Sequence, residues 1–131
     1  MRILKPSEKA ALDGKGWHKY NARKVCIDGH VFQSQLEADY YNALKMARVK
    51  SLRVHPSIEL VAGIRFKPDF YFTEDGRDIY VDTKSDATKA GRFPTICKLW
   101  REFGPGTLRV VYRGPRGTFL VKREIHSKKM P

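Results

Sequence analysis

Hydrophobic and polar positions alternate most clearly between Phe66 and Lys84. Two short aromatic and β-branched runs, Phe66–Thr73 and Asp78–Lys84, flank Asp75-Gly76 there. Asp-Gly between such runs predicts a two-residue type I′ hairpin, because both central positions must take positive φ. In that register Glu74 faces Arg77, and counting outward places Asp69 opposite Asp82. Strand alternation then gives one face to Lys67, Asp69, Tyr71, Tyr80, Asp82 and Lys84. The other receives Phe66, Pro68, Phe70, Phe72, Ile79, Val81 and Thr83. The second set predicts a core and the first a site. Pro68 has no amide proton and sits poorly inside a paired strand, so a bulge or splayed ladder there would shift the register.

The flanking chain follows helical and strand periodicities in turn. Asp28-Gly29 between Val25–Ile27 and His30–Phe32 predicts a second hairpin of the same type. Ser34 and Glu37 have the spacing of a capping box and open a helix that runs to about Lys50, with Leu36, Tyr40, Leu44 and Ala47 as its buried stripe. Leu52–Val54 and Ile58–Val61 are strand material interrupted at Pro56-Ser57, and Ser85–Arg92 is polar and turn-rich, hence a loop. Phe93–Phe103 predicts a helix with Ile96, Leu99, Trp100 and Phe103 on one side, stopped by Gly104-Pro105-Gly106. A last hairpin joins Leu108–Tyr112 to Thr118–Val121. Residues 1–16 form a flexible N-terminal arm and 123–131 a frayed basic tail. No internal boundary divides residues 1–131, so the expectation is one α/β domain with a central mixed sheet flanked by helices.

Charge narrows the function. Lys and Arg number 26 against 14 acidic residues, for a net charge of +12. A field of that sign favours polyanions, and no apolar run is long enough to span a bilayer, so nucleic acid is the expected partner and the membrane is not. The two cysteines, Cys26 and Cys97, are far apart and are expected as free thiols in a reducing cytoplasm. No zinc-ligand spacing occurs. Against this background two carboxylates stacked across a hairpin carry weight: Asp69 beside Asp82 costs stability unless a cation or a shared proton neutralises the pair. The bland reading is a solvated face. Glu37 also has two readings, since a capping glutamate needs no further function. The basic stretch from His18 to Lys24 suits phosphate contacts or an exposed linker.

Pro68-Asp69, followed after twelve residues by Asp82-Thr83-Lys84, resembles the PD-(D/E)xK nuclease superfamily, with Glu37 on the helix that precedes the core sheet. The resemblance implies a restriction-endonuclease-like α-β-β-β-α-β core. It further implies Mg²⁺, with Mn²⁺ able to substitute, held by Asp69, Asp82, the Thr83 carbonyl and Glu37. Lys84 would orient or deprotonate the attacking water, or stabilise the phosphorane. Lys19, Arg23, Lys24, Ser34, Arg92 and Lys98 would contact the nucleic acid. Small size and a basic arm look like the archaeal-type Holliday-junction resolvases and their phage-encoded relatives, implying four-way junction DNA, a homodimer and the host cytoplasm. The sequence departs from that pattern in two places. Asp82 stands where Glu is commoner, and Ser85 replaces a glycine after the lysine. Rival expectations are a related nuclease cutting flaps, nicks or duplex, and a non-catalytic basic nucleic-acid-binding module.

Overall fold

The computed structural model of the protein describes residues 24–85 and 91–129. The expected arm and the basic stretch after it as far as Arg23, Lys19 included, lie outside the described residues, as do residues 86–90 and the last two residues of the tail. A small hairpin comes first, β1 (Val25–Ile27) and β2 (His30–Phe32). Its turn residues Asp28 and Gly29 have φ of 52° and 80°, the left-handed pair that a type I′ turn requires. Helix α1 (Gln35–Met46) follows, and the Ser34 hydroxyl accepts from the Glu37 N–H at 3.1 Å. It ends at Met46, short of Lys50, because the chain closes it with two backbone bonds. Val49 N–H donates to the Leu44 carbonyl and Arg48 N–H to that of Lys45, with Arg48 at φ 56°. The buried stripe is Ala38, Tyr40, Tyr41 and Leu44, while Leu36 is half-buried and Ala47 exposed. At about 100° per residue Leu36 and Ala47 fall within about 20° of each other, at one margin of a packed face that centres between Leu44 and Tyr41.

Strands β3 (Lys50–Val54), β6 (Phe70–Glu74), β7 (Arg77–Lys84), β8 (Thr107–Arg113) and β9 (Phe119–His126) form one sheet in the order β3-β6-β7-β8-β9. All neighbours are antiparallel except β7 and β8, which run parallel and are linked through α2 (Phe93–Phe103). The sheet is therefore mixed, as expected. Between β3 and β6 the chain leaves it for a separate hairpin, β4 (Ile58–Val61) and β5 (Ile64–Phe66). A backbone bond from His55 N–H to the Asp69 carbonyl, 2.8 Å long, ties the departing and returning ends together.

The β6–β7 register is the one read from Asp75-Gly76, from Glu74↔Arg77 to Phe70↔Val81, with φ of 51° and 76° at the turn. It goes no further. Pro68 supplies no ladder donor, so the strands part there: Phe66 belongs to β5, and Asp69 leaves the expected pairing with Asp82. The expected frayed tail is also corrected. Residues 123–126 belong to β9, Leu108 pairs with Ile125, and Ile125 and Ser127 are buried. β8 needs a partner on its outer edge, and Ile125 completes the core beneath α2.

Each face of the sheet has its own core. Phe70, Phe72, Ile79 and Val81 pack with Phe32, Tyr40, Tyr41 and Leu44, so α1 and the first hairpin cover one side. Leu108 and Ile125 pack with Ile96, Cys97 and Trp100 of α2 and with Leu60 and Phe66 of the β4–β5 hairpin, covering the other. Trp100 is fully buried and donates its indole N–H to the Gly106 carbonyl at 2.8 Å. Cys26 and Cys97 are both free. Among the described residues no helix is long and apolar enough to cross a membrane.

Candidate functional site

The parting of β6 from β7 builds the site. Beyond Val81 the edge of β7 has lost its ladder partner, and Asp69 substitutes for it. Its Oδ2 accepts from both the Thr83 N–H and the Thr83 hydroxyl, each at 2.7 Å, while its own N–H donates to the Val81 carbonyl at 2.9 Å. These bonds fix the carboxylate at the seam between the two strands. Two further groups reach it from one side. Glu37, in the first turn of α1, has a side chain only 7% exposed, and its Oε1 lies 2.5 Å from Nε2 of His55. His55 follows β3 and holds φ at 54°, a left-handed conformation that costs a non-glycine residue energy and so calls for a reason. One ligand atom each from Glu37, His55 and Asp69 lies within 4.8 Å of the others.

Both readings of Glu37 have a structural counterpart. The cap is made by its backbone N–H, while its carboxylate turns to His55 and the cluster. His55 was not singled out in the sequence. Its only signal is a histidine between a strand end and Pro56, which is too common to stand out. Two carboxylates and an imidazole form a donor set suited to a divalent cation, and the imidazole makes it softer than the all-oxygen cage expected. Mn²⁺ therefore fits at least as well as Mg²⁺.

Asp82 and Lys84 approach from the α2 side of the sheet. Asp82 is 6% exposed and Lys84 Nζ lies 3.0 Å from its Oδ2. The same ammonium sits 4.2 Å from the centre of the Phe93 ring at the start of α2, so one cation is held by a carboxylate and an aromatic face together. Electrostatics bind the two acids to each other. Burial pushes the Asp69 carboxyl up, the nearby Glu37 charge pushes it further, and the Thr83 hydrogen bonds draw it back, to about 6. Burial likewise raises Asp82, the Asp69 charge adds to this, and Lys84 opposes both, leaving it at about 7. Near neutral pH this group carries more acid oxygen than it can comfortably ionise, which a bound cation would relieve.

The structure thus brings Glu37, Asp69, Asp82, Thr83 and Lys84 to one seam and adds His55. The proposed nucleic-acid contacts are more dispersed. Lys24 is exposed before β1, and Lys98 is exposed on α2. Arg92 is exposed at the start of α2 and donates to the Arg65 carbonyl at 2.5 Å. Ser34 is half-buried with its hydroxyl engaged in the α1 cap.

A family model with the description Protein of unknown function (DUF1064) matches residues 17–122. A solved structure described as the crystal structure of SSO0001 is similar at 17% identity with a TM-score of 0.41, over 70% of this chain and 49% of that one. The chain thus spans about half of that protein's length. No curated protein matches the chain.

Proposed function

This chain belongs to the DUF1064 family, and from its own side chains we propose that it is a metal-dependent endodeoxyribonuclease with a restriction-endonuclease-like core, acting on branched DNA and foremost on four-way junctions. One observation carries the reading. Glu37 of α1, His55 just after β3 and Asp69 just before β6 come to within 4.8 Å through one ligand atom each, beside a buried Asp82 whose partner is Lys84. The charge of +12 supplies the affinity for a polyanion.

In this reading Glu37, His55 and Asp69 hold Mg²⁺ or Mn²⁺, with Asp82 beside them and the Thr83 carbonyl, on the stretch of β7 that β6 has left, as a further donor. The cation supplies Lewis-acid neutralisation of charge on the phosphate. The chain's own groups do the rest. Thr83 fixes the Asp69 carboxylate through two donors to one oxygen. Lys84, steadied by Asp82 and Phe93, presents an ammonium that stabilises developing negative charge or orients the attacking water. Lys24, Arg92 and Lys98, with Lys19 and Arg23 of the basic stretch before β1, are the candidates for backbone contacts. A four-way junction is cut symmetrically on two strands, which favours a homodimer.

The test is cleavage of a labelled four-way junction beside linear duplex, flap and single-stranded competitors, with Mg²⁺, Mn²⁺ or EDTA. Metal-dependent cutting preferring the junction supports the full reading. Cutting that prefers flap or duplex keeps the nuclease and discards the junction. No metal-dependent cutting of any DNA would leave a binding module.

A further inference from the structure

One turn along α1 from Glu37 the surface opens into a cavity of about 390 Å³, a volume within the range of small-ligand sites. Its floor is apolar, made by Leu44, Leu52 and Val54, and its rim carries Lys45 and Arg48. Val54 adjoins His55, and the rings of His55, Phe32 and Tyr41 follow one another at 5.9 and 5.0 Å between centroids, linking the candidate metal cluster to the cavity wall.

Arg48 is the informative residue. It occupies the position after the α1 C-cap, where the closing bonds demand a left-handed backbone and glycine is the low-cost choice. An arginine there forfeits stability that glycine would recover. Its side chain is exposed and makes no ion pair among the described residues. The other rim cation is partly engaged: Lys45 lies 3.8 Å from Asp28, which also accepts from the Tyr41 hydroxyl, while Arg53 of β3 turns to the other face of the sheet and stands over the Tyr71 ring. The negative end of the helix dipole is already answered by the two closing backbone bonds and by Lys45. The arginine is therefore not needed for helix capping.

An apolar floor under a cationic rim matches a flat apolar body bearing one anionic group. We propose that this cavity binds one nucleotide of an unpaired DNA strand, the base on the floor and its phosphate at Arg48 with Lys45 beside it. This deepens the nuclease reading and rests on it for the identity of the ligand. Its substrate consequence is a requirement for an unstacked nucleotide close to the cut phosphate, as branch points supply.

The experiment measures binding in EDTA, where no cleavage occurs, with Arg48→Gly and Arg48→Lys in the full chain. Probes are a short single-stranded oligonucleotide, blunt duplex, deoxyadenosine monophosphate, deoxyadenosine and inorganic phosphate. Arg48→Gly is expected to raise Tm by about 2–4 °C, since strain is removed. The same change should weaken the single strand and the mononucleotide about tenfold, with duplex affinity moving far less. Arg48→Lys should recover much of the affinity and none of the Tm. A higher Tm with unchanged oligonucleotide affinity would reduce Arg48 to a strained helix end and overturn the proposal. Inorganic phosphate binding as tightly as the mononucleotide would also overturn it, leaving a plain anion site. If the wild-type protein cuts no DNA while the Arg48 results hold, the nuclease reading fails and the nucleotide site stands.

Discussion

Asp82→Asn is the most informative single change, because it separates what the carboxylate does for stability from what it does for chemistry. In the folded protein the Asp82 carboxyl is raised to about 7, from an ordinary 3.8. A shift of about three units at 1.36 kcal/mol each corresponds to roughly 4 kcal/mol, an upper bound because Asp69 shares the repulsion. The folded state holds this proton more tightly than the unfolded chain does. Its stabilising contribution is therefore complete below about pH 4 and is lost as pH rises through about 7. Asparagine keeps the shape and never ionises, but it leaves Lys84 with Phe93 alone. The net expectation is that the Asp82→Asn variant gains about 1–2 kcal/mol over wild type at pH 8, and nothing at pH 4.5. That is a rise in Tm of roughly 3–6 °C for a chain of this size. Calorimetry in EDTA at the two pH values reads it directly. Adding Mn²⁺ at pH 8 should favour the wild type and shrink the gap, while cleavage by the variant is abolished and junction binding persists. A variant no more stable than wild type at pH 8, relative to pH 4.5, would refute the like-charge argument. Full cleavage would remove Asp82 from the site.

The remaining expectations concern its neighbours and the DNA surface. Glu37→Gln keeps the α1 cap, whose donor is the backbone N–H, so Tm should hold within about 2 °C while cleavage falls on the order of a hundredfold; a normal rate would return Glu37 to capping alone. His55→Gln should weaken Mn²⁺ binding by calorimetry at least about tenfold, since loss even of a group behind a metal ligand costs that much, and unaltered affinity would exclude His55 from the cluster. Phe93→Leu removes the ring over Lys84, worth about 1 kcal/mol, and should slow cleavage several-fold while raising KM little; an unaffected rate would make the contact incidental. Replacing Arg23 and Lys24 together by Ala should lower the slope of log K against log salt by about two, tested in Ca²⁺, with an unchanged slope placing both off the DNA.

What was legible in the sequence is what short-range rules decide. Asp75-Gly76 sets a turn whose backbone needs are local, and five cross-strand pairs follow from it. Ser34 accepts from an amide three residues on, and the apolar side of Phe93–Phe103 repeats within a few turns. What was not legible depends on distant partners. His55 matters because Glu37, eighteen residues earlier, turns towards it, and no local pattern marks that meeting. Asp69 kept its importance but changed its geometry, from opposing Asp82 across a ladder to replacing the ladder for Thr83. Pro68 was the visible cause of that change, though its proline alone did not say where the carboxylate would go. The length of β9 was hidden for a similar reason: Lys122, Arg123 and Glu124 are consecutive exposed charges on an edge strand, and only pairing with β8 orders them.

The excursion through β4 and β5 has a mechanical consequence. His55 stands where the chain leaves the sheet and Asp69 where it returns, and a single backbone bond closes that neck. Residues 56–68 are thus a loop whose two feet are two members of the cluster. The outer strand face, with Glu59 and Arg65, is exposed, while Leu60 and Phe66 clamp the loop's inner side onto α2. A displacement of the hairpin would reach both feet at once and alter the spacing between an imidazole and a carboxylate. The packing of Leu60 and Phe66 against Trp100 is what holds those two feet at a fixed distance.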